Sequence, residues 1–132
     1  MVQSVRAVFR SVSWDEQPIH EESRPKLTRA HCRQAYTGDI EGESTLEYLM
    51  VYHENGDATF VGVERISGSV AGRKGTFALR HVGEFSGGVA RMTLTVVEGA
   101  GTAELQSLRG SGEFSSPHAS EYEVVLDCSF GP

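Results

Sequence analysis

The stretch that decides the fold runs from Ala58 to Ser86 and reads ATFVGVERISGSVAGRKGTFALRHVGEFS. Apolar side chains recur at every second position on both sides of a central glycine-containing turn. That period of two is typical of strands with one buried face, and a central glycine is what a tight hairpin loop needs. The stretch therefore predicts two antiparallel strands joined by a short loop.

The loop of this hairpin is predicted at Gly72 and Arg73, with glycine at the first central position. That register places Glu64 directly opposite His81 on the apolar face. It also places Phe77 opposite Gly68, where an aromatic ring would cover a bare backbone site. The remaining large side chains of this face are Phe60, Ile66, Leu79 and Phe85.

The hairpin before it turns at residues 54–56, Glu-Asn-Gly. A two-residue loop would set Glu47 against Glu64, which is an unfavourable pair of like charges. A three-residue loop with a left-handed Gly56 avoids this pair. It predicts three facing pairs: Leu46 with Glu64, Tyr48 with Gly62, and Met50 with Phe60.

The same alternation extends outward over most of the chain. Further strands are predicted at 2–14, 27–37, 44–53, 88–98 and 121–130, with a short one near 110–115 and a single helical turn near 103–109. The polar stretch from Asp15 to Pro25 is interpreted as a loop over one mouth. We predict one all-β domain over residues 1–132, a closed antiparallel barrel of seven or eight strands, with a sandwich as the alternative.

Composition narrows the range of partners. The formal charge of −6 over 132 residues argues against nucleic acid and anionic membranes, which require a basic surface. No apolar run approaches the length of a membrane span, and the first ten residues do not resemble a signal peptide. The sequence is therefore interpreted as cytoplasmic, with Cys32 and Cys128 as buried free thiols.

Glu64 and His81 are the candidate catalytic residues. A carboxylate beside an imidazole in a water-poor cavity can move a proton on a bound ligand. The same pair can also be a purely structural, hydrogen-bonded pair in the core. Candidate ligand-binding residues, on the apolar side of their strands, are Gln34, Tyr36, Tyr48, Phe60, Phe77 and Tyr122.

The histidines show no metal-ligand spacing and the glycine-rich stretches do not lead into a helix, so no metal or cofactor is expected. The opposite face of the strands also carries apolar residues. Leu49, Val51, Val61 and Val63 predict that part of the outer surface is covered by another copy, in a dimer or trimer.

Several motifs together resemble a bacterial family of unknown function, number 3224 in the domain-of-unknown-function series. They include Gly38-Asp39-Ile40-Glu41-Gly42, Phe60-Val61-Gly62-Val63-Glu64-Arg65, Gly72-Arg73-Lys74-Gly75-Thr76-Phe77 and His81-Val82-Gly83. The resemblance covers nearly the whole chain. It implies an eight-stranded antiparallel barrel similar to that of allene oxide cyclase and plant dirigent proteins, and a homo-oligomer. It supplies no activity.

Three functions remain open at this point. The barrel could bind a small, mostly apolar molecule in its interior or mouth. It could isomerise or cyclise such a molecule, with Glu64 or His81 handling a proton. It could also be a solid-core structural or interaction protein, since eight-stranded barrels are either filled or hold one ligand.

Overall fold

The computed structural model describes residues 2–20, 25–117 and 121–131, and it confirms the all-β prediction. Within those ranges the strands are β1 Gln3–His20, β2 Lys26–Gly38, β3 Ile40–Tyr52, β4 Ala58–Val70, β5 Arg73–Ser86, β6 Val89–Val96, β7 Leu108–Pro117 and β8 Glu121–Phe130. Each strand pairs antiparallel with the next, and β1 pairs with β8 to close the barrel. A 3-10 turn at Ala103–Leu105 occupies the start of the predicted helical segment.

The first strand is longer than predicted. Residues 15–20, expected to begin a loop, continue β1 against β2, whereas 21–24 of that predicted loop lie outside the described residues. A bulge between Ser11 and Ser13 shifts the register, so that even-numbered residues then face the barrel. Among the described residues, β1 pairs with β8 as far as Arg10, and the part of β1 beyond it pairs with β2. An edge of this kind tolerates Pro18, which has no N–H to donate.

The predicted loop of the β4–β5 hairpin is wrong, because the loop lies one residue earlier in the chain than predicted. Val70 pairs with Arg73, so the loop residues are Ala71 and Gly72, with φ of 50° and 83°. Positive φ at both central positions is the requirement of the type I′ turn that suits twisted strands. The whole register moves by two residues, which leaves every side chain on its predicted face.

The pairs across this hairpin change accordingly. Glu64 lies opposite Leu79, and His81 lies opposite Gly62. Phe77 lies opposite Ile66 rather than covering Gly68. The β3–β4 register is confirmed in full, with Leu46 opposite Glu64, Tyr48 opposite Gly62 and Met50 opposite Phe60.

The interior contains two apolar clusters. The larger lies toward the end where the β2–β3 and β4–β5 turns meet the 3-10 turn, whose Leu105 is fully buried; we call this the capped end. The smaller cluster lies toward the opposite end, which we call the mouth, and includes Leu46, Met50 and Phe60. None of the described residues belongs to a helix that is long and apolar enough to cross a membrane.

Candidate functional site

A buried carboxylate lies between the two apolar clusters. Glu64 is 0% exposed, and its Oε2 accepts hydrogen bonds from the hydroxyls of Tyr36 and Ser44, each at 2.6 Å. Its Oε1 lies 2.8 Å from Nε2 of His81. Three strands thus converge on one carboxylate, because Tyr36 lies on β2, Ser44 on β3 and His81 on β5.

The predicted contact between Glu64 and His81 is present, but the two residues are diagonal neighbours rather than directly facing ones. Gly62 explains how His81 reaches its other partner. It lies between Tyr48 on β3 and His81 on β5, and a Cβ there would lie 2.5 Å from Cδ1 of the Tyr48 ring. Without a side chain at that point the two rings meet edge to face, with Tyr48 Oη 2.9 Å from His81 Nδ1.

The tyrosines that surround Glu64 and His81 are protonated. Burial, and then the nearby charge of Glu64, raise the pKa of both Tyr36 and Tyr48 well above the usual value, so both phenols stay protonated. A protonated Tyr48 can donate to Nδ1, and in that tautomer Nε2–H of His81 donates to Glu64. Each polar atom has a partner, and within the described ranges no buried side-chain nitrogen or oxygen lacks one.

The other predicted site residues divide between the two clusters. Gln34 Oε1 lies 3.4 Å from the Tyr36 hydroxyl, and the Phe60 ring meets Tyr48 edge to face at 5.0 Å. Phe77 packs in the larger cluster, and Tyr122 stacks on Phe9 at its edge. The structure therefore gathers Gln34, Tyr36, Tyr48 and Phe60 around the Glu64–His81 pair and places Phe77 and Tyr122 elsewhere.

A second carboxylate, that of Glu16, lies at the mouth, in the segment that was predicted to be a loop. Oε2 of Glu16 accepts hydrogen bonds from Thr28 and Tyr52, each at 2.7 Å, and Oε1 accepts one from Trp14 Nε1 at 3.1 Å. The alternation of Trp14, Glu16 and Pro18 is the sequence pattern that could have indicated a strand here. The bulge turns these residues inward, so their alternation is out of phase with that of the preceding part of β1.

The mouth carboxylate borders an open cavity. Its volume is about 390 Å³, and it is lined by Glu16, Pro18, Lys26, Thr28 and Tyr52. Trp14 is 48% exposed beside Glu16, and its ring centroid lies 6.1 Å from that of Tyr48. The arrangement combines an apolar wall with a few convergent polar groups, as small-molecule sites do.

Electrostatics keep the mouth carboxylate charged. Burial acts to raise the pKa of Glu16, but hydrogen bonds from Thr28, Tyr52 and Trp14, with the charge of Lys26, together lower it. Burial and the hydrogen bond to Glu16 raise the pKa of Tyr52 to about 12, so its hydroxyl remains a donor.

Both cysteines are free and buried, as predicted. Burial raises the pKa of Cys32 to about 12 and that of Cys128 to about 11, so neither is a thiolate nucleophile near neutral pH. Within the described ranges no cluster of three or more His, Cys, Asp or Glu residues could hold a metal ion. Of the histidines, His118 lies outside those ranges.

Fold and site together define an eight-stranded antiparallel barrel with a hydrogen-bonded polar centre and an open mouth cavity lined by Glu16 and Lys26. The chain belongs to the DUF3224 family, described as proteins of unknown function, which it matches over residues 5–127. It is similar to the crystal structure of a family member of unknown function from Shewanella oneidensis MR-1, with a TM-score of 0.80 and 25% identity over 100% of both chains. No curated protein matches the chain closely enough to indicate a relationship.

Proposed function

We propose that this protein binds one small, mostly apolar molecule at the mouth of its barrel. The observation that carries the proposal is the position of Trp14, whose side chain is 48% exposed, donates to Glu16 of the mouth cavity, and has its ring centroid 6.1 Å from that of Tyr48. A large aromatic side chain in that setting lowers its free energy by covering an apolar ligand.

The centre of the barrel is a poorer place for the ligand. Glu64 and His81 are 0% and 4% exposed, and both carboxylate oxygens and both ring nitrogens already have partners. A ligand at that depth would have to separate these pairs and leave buried polar atoms unpaired, at about 1–3 kcal/mol for each one. The proposal therefore assigns the central group a structural role beneath the mouth.

Trp14 is the only tryptophan of the chain, so its fluorescence reports on the mouth alone. We expect 1-octanol to shift the emission of Trp14 at concentrations below its solubility limit. In calorimetry, Trp14→Ala should weaken octanol binding, whereas Val2→Ala, at a 68% exposed position on the outer surface, should not. Unchanged emission, or equal binding by Trp14→Ala, would contradict the proposal.

An isomerase or cyclase is the second candidate, and one observation favours it. The hydrogen bond from Tyr48 to His81 connects the Glu64–His81 pair to a ring that touches Trp14 at the mouth. A ligand that reached the Tyr48 hydroxyl itself would give a proton to that oxygen while the hydroxyl passes its own proton to Nδ1 of His81. If so, octanol binding should change the ¹⁵N shifts of both His81 ring nitrogens; unchanged shifts would leave the pair structural.

We also propose that two copies associate through the outer face of β3, β4 and β5, and that they do so in the cytoplasm, where buried free thiols persist. Leu49, Val61 and Val82 form one exposed apolar row across these strands. Glu47, Val63 and Arg80 form the next row. A two-fold axis along β4 would lay apolar row on apolar row and set each Glu47 against the other copy's Arg80.

Sedimentation tests this association. We expect a dimer at micromolar concentration, and a monomer for Val61→Arg, which places two cations face to face at the axis. Ser4→Arg adds the same charge on the far outer surface and should remain dimeric. A monomeric wild-type protein would remove the proposal, and a trimer would replace the two-fold arrangement.

A further inference from the structure

The mouth carboxylate carries a charge that its own hydrogen-bond donors do not neutralise. Among the described residues, the groups that donate to Glu16 are on Trp14, Thr28 and Tyr52, and all three are neutral. A carboxylate offers about four lone-pair positions, and the described residues use three of them. The nearby charge of opposite sign belongs to Lys26, which lines the same cavity, so a second cation in that cavity would also be attracted to Glu16.

The side chain of Lys26 indicates which ligand chemistry the cavity can accommodate. The ammonium group of Lys26 lines the same cavity and lies 5.9 Å from the centroid of the Tyr52 ring, within the range of a cation–π contact. It is also near enough to Glu16 to act on it electrostatically. The mouth therefore already presents an aromatic face and a carboxylate to an ammonium carried on an aliphatic stem.

A ligand of the same chemistry fits this site. Its cationic head would take the place of the Lys26 ammonium, between Glu16 and the Tyr52 ring. Its apolar part would lie against the exposed ring of Trp14. An anionic head would face Glu16 on a chain with a formal charge of −6.

From this arrangement we infer that the mouth selects small amphipathic amines, with Glu16 as counter-ion, Tyr52 and Trp14 as aromatic walls, and Lys26 as a built-in competitor. The inference rests on the proposed function, because it names the class of ligand that the same mouth binds. It makes Lys26 an inhibitor of binding, whereas a site for carboxylates or phosphates would need Lys26 as its anchor.

Three probes of equal chain length separate charge from apolar contact: octylammonium, 1-octanol and octanoate, each titrated below its micelle concentration at neutral pH. The amine is then cationic and the acid anionic. Trp14 emission is the readout. We expect octylammonium to bind roughly tenfold more tightly than octanoate, because attraction to one and repulsion of the other add, with octanol between them.

Two substitutions test the assigned roles. Glu16→Gln leaves the Lys26 ammonium as the charge in the cavity lining, so it should abolish the preference for octylammonium over octanoate without changing octanol binding. Glu41→Gln, which removes an exposed charge near the capped end, should preserve the tenfold preference. Lys26→Met should tighten octylammonium binding several-fold. Added salt should weaken octylammonium binding to the wild-type protein and leave octanol binding unchanged, which tests the charge without any substitution.

The outcomes separate the inference from the proposal beneath it. If none of the three probes changes Trp14 emission, the mouth is not a ligand site and both fail. If all three bind alike, or octanoate binds best and Lys26→Met abolishes its binding, the proposed function stands and the inference is wrong.

Discussion

Two carboxylates in this barrel accept hydrogen bonds from the same kinds of donor but differ in how far they are buried. Glu64 accepts hydrogen bonds from a tyrosine, a serine and an aromatic ring N–H, on Tyr36, Ser44 and His81. Glu16 accepts them from a tyrosine, a threonine and an aromatic ring N–H, on Tyr52, Thr28 and Trp14. The first is fully buried between the two apolar clusters, and the second borders an open cavity.

The difference shows that donor chemistry alone does not set a carboxylate's role. Around Glu64, donors come from β2, β3 and β5, so the carboxylate ties together strands on different sides of the barrel. Around Glu16, the donors among the described residues come from its own strand and from β2 and β3, and Glu16 is half-buried beside an open cavity. We therefore expect the buried carboxylate to stabilise the fold and the mouth carboxylate to be the one that can meet a ligand.

The largest effect should come from removing each negative charge in turn. Glu64→Gln replaces one acceptor oxygen by an NH₂ group that points at buried donors, so it should lower the free energy of unfolding by about 3–5 kcal/mol. Glu16→Gln makes the same replacement where water can compensate, and it should cost about 1 kcal/mol or less. Urea unfolding of the two variants measures both values.

Ser44→Ala tests the same point by another route, because it removes one donor to Glu64 and leaves the carboxylate in place. A loss well below that of Glu64→Gln is expected, since Tyr36 and His81 still donate. If Glu64→Gln and Glu16→Gln cost the same, the contrast between the two carboxylates is wrong.

A smaller effect should distinguish the two tyrosines. Tyr36→Phe removes a donor from a charged, buried acceptor and should cost about 1.5–3 kcal/mol. Tyr52→Phe removes the matching donor at the half-open mouth and should cost about 0.5–1 kcal/mol. Both changes delete one hydroxyl, so a difference in melting temperature reports on burial. Equal losses would show that the depth of the carboxylate does not matter.

The sequence predicted the contact between Glu64 and His81 because the face on which a strand residue lies does not change when the register is wrong by two residues. The β4–β5 loop was misplaced, since a left-handed Ala71 has no signature in sequence. The resulting error of two residues kept Glu64 and His81 on one face, and long side chains reach diagonal neighbours. The hydrogen bond from Tyr48 to His81 depends on Gly62, and a sequence pattern does not report how closely two rings can approach over a glycine.

The mouth carboxylate was missed for a different reason. A bulge inserts one residue, and this exchanges the inward and outward faces of every residue after it. The stretch from Trp14 to Pro18 then alternates in the opposite sense to Val5 and Ala7, which obscures a strand in a polar sequence. Hydrogen bonds from β2 and β3 define the Glu16 site, and those become visible only once the strands are paired.

The smallest expected effect is on the pH dependence of stability, and it tests whether folding favours the charged form of Glu16. Burial acts to raise the pKa of Glu16, but its hydrogen bonds and Lys26 lower it below the ordinary value of 4.5. A group whose pKa is depressed by folding adds stability that is full above its ordinary pKa and is lost as the pH falls through the folded value. The wild-type protein should therefore exceed Glu16→Gln in stability by a constant amount at neutral pH, and the difference should shrink below about pH 4.5. Chemical unfolding of both proteins at neutral pH and at about pH 3 measures this change, and other acidic groups cancel in the comparison. A difference that stays constant down to about pH 3 would mean that folding does not depress the pKa of Glu16, and that its hydrogen bonds do not favour the charged carboxylate over the neutral acid.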